Sequence, residues 1–159
     1  MEENILKRVM PHSYEAEQSV LGSMFMDRNA VAVAAADLEK EDFYVGQHAA
    51  LFECMIELYN AGKPVDLITV QDKLKEKDVP PETLSLDFAK EIISTVPTSA
   101  NIKSYCAIVR EKAQLRRFIH TAQEIENACY AGSKSVDEIA EFAGLDASEI
   151  RAVCDRGER

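Results

Sequence analysis

The sequence predicts an all-α protein: a compact bundle of short helices followed by a long helix and a C-terminal helical hairpin. Three observations carry that prediction. Apolar residues recur at three- and four-residue spacings in one segment after another. Ser or Asp stands at the head of several such segments, and Gly or Pro stands at their ends. The stretch richest in β-branched residues, 65–70, alternates poorly and contains Asp66, a fit N-cap, so it too reads as helix.

The chain opens with a polar lead, residues 1–10, expected to be flexible. Pro11-His12-Ser13 starts a globular helical body over residues 11–98. Ser13 is a suitable N-cap, and Glu15 and Glu17 suit the positive end of the helix dipole. Ala16, three beyond the cap, leaves the capping box incomplete. Ala16, Val20, Leu21, Met24 and Phe25 make one apolar face. Gly22 costs about 1 kcal/mol relative to Ala inside a helix, which points to close packing against a neighbour. Asp27-Arg28-Asn29 closes this helix and can cap a second over 30–38. Asp42-Phe43-Tyr44 is expected to tuck two rings under the loop that follows. A third helix covers about 47–60, with Ala49, Leu51, Phe52, Met55, Ile56 and Tyr59 inward and Ala61-Gly62 as its stop. Asp66 caps a fourth, on which Leu67, Val70, Gln71 and Leu74 share a face. Val79-Pro80-Pro81-Glu82-Thr83 is a turn, and a fifth helix lies near 86–95.

Residues 99–143 form the predicted hairpin. Its first arm, 101–131, contains neither Gly nor Pro, and Pro97 and Gly132 stand outside its two ends. Helical rise makes it roughly 45 Å long, more than a small body needs to cover its core. Ser135 caps the second arm, 136–143, and Gly144 breaks it. The remainder, 144–159, is a divergent tail with a last helical piece from 146 or 147 to about 154.

Charge separates the long arm from the rest. The 159 residues carry a formal net charge of −10, a poor balance for wrapping nucleic acid. Over 101–131, however, five basic residues meet three acidic ones, and Lys103, Arg110, Lys112, Arg116 and Arg117 crowd its first half. These are either the solvated face of an amphipathic helix or contacts for an acidic partner or a phosphate backbone. No aromatic ladder is interleaved for base stacking. The four cysteines include no C-x-x-C pair, and none of the three histidines stands at ligand spacing from a cysteine, which argues against zinc. Neither a signal peptide nor an apolar run of membrane length is visible, so a cytoplasmic protein with no membrane partner is expected.

No catalytic constellation emerges. Gly62-Lys63 fails as a phosphate loop, because Glu57 stands where its first Gly belongs and Pro64 where Ser or Thr must follow. His12 lacks a nucleophile or paired carboxylate nearby, and a capping or packing role is expected of it. His120 reads as a partly exposed residue of the long helix. Glu15 and Glu17, two apart, point away from each other on a helix. Residues 136–153 have helix-turn-helix spacing around Gly144, which leaves a small helical DNA-binding regulator as the alternative function. The second helix of that segment would present Asp146, Ser148, Glu149 and Arg151, a mixed set for reading a major groove.

Several motifs in order resemble the N-terminal domain of the bacterial replicative DNA helicase (DnaB type). They are Pro11-His12-Ser13 with Glu15-Ala16-Glu17-Gln18-Ser19-Val20-Leu21-Gly22, then Asp42-Phe43-Tyr44, then Gly62-Lys63-Pro64-Val65-Asp66-Leu67-Ile68-Thr69-Val70. Pro97, Ala100-Asn101-Ile102, Tyr105, Ile108-Val109-Arg110-Glu111 and Leu115-Arg116-Arg117 complete the set, so the likeness spans about 9–138. Pro80-Pro81-Glu82 replaces the family's Gly-rich loop, and the pattern departs after about Ala140, where Gly144 shortens the second arm.

The resemblance implies a non-catalytic collar domain in DNA replication that promotes ring assembly and primase recruitment. It implies self-association as a dimer, and as a trimer of dimers in the full-length family, with contact to primase and a helicase loader and only indirect contact with DNA. Leu115, Phe118, Ile119, Ala122 and Ile125 are the expected hairpin and dimer interface, and Arg110, Arg116 and Arg117 the expected polar contacts around it. No cofactor, metal or catalytic residue is expected in this chain. ATP and Mg would belong to a motor domain, which drives 5′-3′ unwinding in the family and is not expected within these 159 residues.

Overall fold

The computed structural model describes residues 8–77, 79, 85–96 and 98–144, and every regular element among them is helical. The helices are α1 (Tyr14–Met26), α2 (Arg28–Asp37), α3 (Gly46–Asn60), α4 (Leu67–Leu74), α5 (Leu86–Thr95), α6 (Ile102–Ala131) and α7 (Val136–Ala143), with a 3-10 turn at Lys40–Asp42. The expected 1–7 part of the lead, the Pro80-Pro81-Glu82 turn and the helical piece after 145 lie outside the described residues. So does the whole of the second helix needed for a DNA-reading motif.

Local chemistry accounts for the helix starts. Ser13 accepts a hydrogen bond from Ala16 N, and Asp27 accepts one from Asn29 N to start α2 directly after α1. Asp66 and Thr69 form a reciprocal capping box, as do Ser135 and Glu138. Gly62, Gly132 and Gly144 take positive φ after α3, α6 and α7, where a left-handed residue closes a helix.

The chain forms two compact units, 1–114 and 115–159, and α6 contributes to both. In the first unit α1 is the central helix, packed against α2, α3 and α5. Ala16, Val20, Leu21 and Met24 are buried, and so are Glu17, Gln18, Gly22 and Ser23 on its other sides. A helix covered on all sides in this way needs a small residue where a neighbour comes nearest. Gly22 is that residue: a Cβ there would lie 2.7 Å from the Ile92 carbonyl oxygen and 2.9 Å from Val96 Cγ2 of the α5 segment. The close packing expected from its sequence position is present.

The core continues through Val31 and Ala34 of α2, Leu51, Phe52, Cys54, Met55 and Leu58 of α3, and Val70 and Leu74 of α4. Ile102, Cys106, Val109 and Ala113, spaced four, three and four along α6, are buried within the first unit. Fully burying a Leu, Val or Met side chain contributes about 1.5–3 kcal/mol, so this set supplies much of the unit's stability. Phe43 is buried against Phe52, but Tyr44 is not tucked under the loop. Its ring is partly exposed and stacks on His12 at 4.2 Å, because the backbone at Tyr44 is turned inward instead.

Candidate interaction surfaces

Two features of the first unit fix the shape of its surface. The first is a buried clasp. Glu17 is 1% exposed, and its carboxylate accepts hydrogen bonds from Tyr44 N (3.0 Å), Val45 N (3.2 Å) and His48 Nδ1 (2.9 Å). With a carboxylate as acceptor, Nδ1 carries the proton. The His48 ring, fully buried, sits near Tyr14 and Phe88, with centroids at 4.9 and 5.9 Å. One side chain of α1 thereby holds both the loop entering α3 and the first turn of α3. Sequence reasoning assigns Glu17 to the helix dipole and misses this role.

The second feature is an alternating chain of charges. Lys40 pairs with Glu53, Lys77 with Glu53 and Glu57, and Lys73 with Glu57 and Glu76. Hydrogen bonds from Lys40 and then Lys77 hold the Glu53 carboxyl below its usual range, and those to Glu53 and Glu57 hold the Lys77 ammonium well above its own. These pairs join the 3-10 turn, α3, α4 and the segment after α4. Burial pushes the Cys54 thiol up to about 11 and the Cys106 thiol up to about 12, so neither is a nucleophile at neutral pH. Among the described residues no group of three or more His, Cys, Asp or Glu side chains could hold a metal, and no helix is long and apolar enough to cross a membrane.

On the α6 portion of the second unit, Leu115, Phe118, Ala122, Ile125 and Cys129 follow one another at spacings of three, four, three and four. At 3.6 residues per turn they fall within about 80° of arc, a coiled-coil-like seam. Leu115 is 40% and Phe118 72% exposed, Ala122 and Cys129 are exposed, and Ile119 and Ile125 are half-buried. The basic residues separate by position: Arg110 and Arg117, seven apart, are exposed on another face, whereas Arg116 is 8% exposed. Arg116 is thus covered within the chain, unlike its neighbour Arg117. Lys134 lies over the Phe142 ring at 5.1 Å, linking the turn before α7 to the end of that helix.

A family model described as the DnaB-like helicase N-terminal domain matches residues 9–111, most of the first unit. The chain belongs to that family. It is 37% identical over 150 residues to the replicative DNA helicase DnaB of Geobacillus stearothermophilus, covering 94% of this chain and 33% of the relative. The chain therefore spans about a quarter to a third of the length of the curated relatives it matches. Its fold superposes on the N-terminal domain of DnaB helicase from Mycobacterium tuberculosis with a TM-score of 0.80 and 32% identity, covering 86% of this chain and 97% of that one. A second solved structure, a DnaB-like replicative helicase described with its interactions with primase, gives a TM-score of 0.68 at 27% identity, over 92% of this chain and 35% of that one. The DnaB-like assignment and the all-α architecture expected from the ordered motifs are both established by these matches.

Proposed function

We propose that this chain is the assembly and partner-docking collar of a cytoplasmic replicative DNA helicase, and that it acts through the α6 seam. The observation that carries this reading is the seam itself. Five apolar positions at coiled-coil spacing lie on one stripe of a 30-residue helix, with Phe118 72% exposed where a solitary helix would place a polar residue. A second copy of the chain is the occupant, giving dimers that build a trimer of dimers in a longer protein. Leu115, Phe118, Ile119, Ala122 and Ile125 supply the apolar contact; Arg110 and Arg117 offer polar contacts from another face of the helix, while Arg116 is covered within the chain. Primase, and a helicase loader, are the heterologous partners; support for primase comes from the solved relative described with it. This domain carries no catalysis, and ATP and Mg act at a motor elsewhere in the full protein.

Sedimentation of the chain at micromolar concentrations tests the reading. Self-association is expected, with Leu115→Asp and Phe118→Asp each weakening it tenfold or more while the far-ultraviolet circular dichroism stays helical. A chain that stays strictly monomeric and shows no binding to its cognate primase would overturn the proposal. If Leu115→Asp unfolds the first unit, Leu115 is part of its folding core and not of an interface.

A further inference from the structure

The family reading does not account for two adjoining grooves along the outer face of α3. One, of about 390 Å³, is lined by Phe43, Gly46, Ala49, Ala50 and Val79, with Lys40, Glu41, Glu53 and Lys77 at its rim. The other, of about 330 Å³, continues along Ala35, Leu38, Phe52 and Ile56, with Glu39 and Glu57 at its edge. Lys40 and Glu53 line both, and their 2.6 Å ion pair bridges the boundary between them. Gly46, Ala49, Ala50, Glu53 and Ile56 lie at spacings of three and four, so α3 presents a ridge that is nearly bare of side chain at its start. A Cβ at Gly46 would meet nothing within 4 Å. Another helix backbone can approach closely over such a ridge, with its apolar side chains entering the grooves on either side.

Charge identifies the occupant. Lys40, Lys73 and Lys77 are matched by Glu53, Glu57 and Glu76 in the charge chain, which leaves Glu39 and the exposed Glu41 as the surplus at the groove lip. The rim is therefore net acidic above an apolar floor. We infer that the α3 groove docks a basic amphipathic helix of a partner protein, whose apolar face covers Phe43, Ala49, Ala50 and Val79 and whose cations meet Glu39 and Glu41. This site lies on the first unit and is distinct from the α6 seam.

A synthetic 14-residue helix of leucine and lysine, and its leucine–glutamate counterpart, serve as probes of the 15N-labelled full chain by amide NMR. The lysine helix is expected to shift the amides of residues 40–46 and 49–57, with affinity falling at least tenfold between 50 and 300 mM salt. Glu41→Lys and Ala50→Lys should each weaken it about tenfold, with circular dichroism confirming their fold. Shifts confined to residues 115–129, equal binding of the glutamate helix, or no binding would each overturn the inference. Because Phe118→Asp leaves the groove intact, it should disrupt self-association without altering peptide affinity. Failure of one site is thus distinguishable from failure of the other.

Discussion

Glu17→Ala is expected to destabilise the first unit by about 3 kcal/mol or more, a large share of the few kcal/mol that separate folded from unfolded states. Three donors lose their acceptor together: the amides of Tyr44 and Val45 and the Nδ1–H of His48. The carboxylate and the ring are both buried, so water cannot take its place without opening the packing of α1 on α3. Glu17→Gln keeps the shape and one acceptor oxygen, but its amide turns a donor toward donors, and an intermediate loss of about 2 kcal/mol follows. Urea denaturation is the measurement, with Glu15→Ala as the control. Glu15 is exposed two residues earlier, and its loss should change stability by less than about 0.5 kcal/mol. If both alanine variants unfold at the same urea concentration, the carboxylate does not hold the α3 entry.

Gly22→Ala is the second large effect, and its sign opposes helix propensity. Alanine inside a helix gains about 1 kcal/mol over glycine, so an open position would be stabilised. Here the new methyl would sit 2.7 Å from the Ile92 carbonyl oxygen and 2.9 Å from Val96 Cγ2. The nearer obstacle is backbone, which no rotamer change removes, so α5 must shift off α1. We expect a net loss of about 1–3 kcal/mol by overpacking, and a greater one for Gly22→Val. Gly46→Ala meets no atom within 4 Å and should be neutral or slightly stabilising. A Gly22→Ala protein with a higher thermal midpoint than the parent would show that the two helices are not in close contact.

These two positions also mark what the sequence can reveal. Gly22 is legible because a glycine inside an otherwise regular apolar face costs helix stability, and a close neighbour is the ordinary compensation. The caps at Ser13, Asp66 and Ser135 are legible because a cap and its first turn are a few residues apart and obey local chemistry. Glu17 is not. A carboxylate in a first helical turn ordinarily faces water, and its burial depends on where the Tyr44–Val45 backbone arrives from 27 residues away. Tyr44 escapes for the same reason, since the inward turn of its amide leaves the ring to His12. Arg116 and Arg117 are equivalent in the sequence, yet one is buried and the other exposed, a difference set by a step of about 100° around the helix. The α3 groove draws on residues between 35 and 57 together with Lys77 and Val79, and no periodicity within one segment announces a surface assembled from several.

The alternating lysines and glutamates from Lys40 to Glu76 also bear on heat. Ion hydration becomes less favourable as temperature rises, so the cost of bringing charges together falls, while the apolar contribution per unit area levels off. A chain of five linked pairs across the 3-10 turn, α3 and α4 therefore takes a growing share of the restraint on this face as the protein warms. Glu53, paired with both Lys40 and Lys77, is the link that ties the 3-10 turn to the rest of the chain of charges. Glu53→Gln should accordingly cost more near the melting temperature than at 25 °C, and a melting-temperature deficit that vanishes in 0.5 M salt would be its signature. A uniform deficit at every salt concentration would assign the loss to packing. The ion pairs that border the α3 groove are thus also the contacts whose share of the restraint grows with heat.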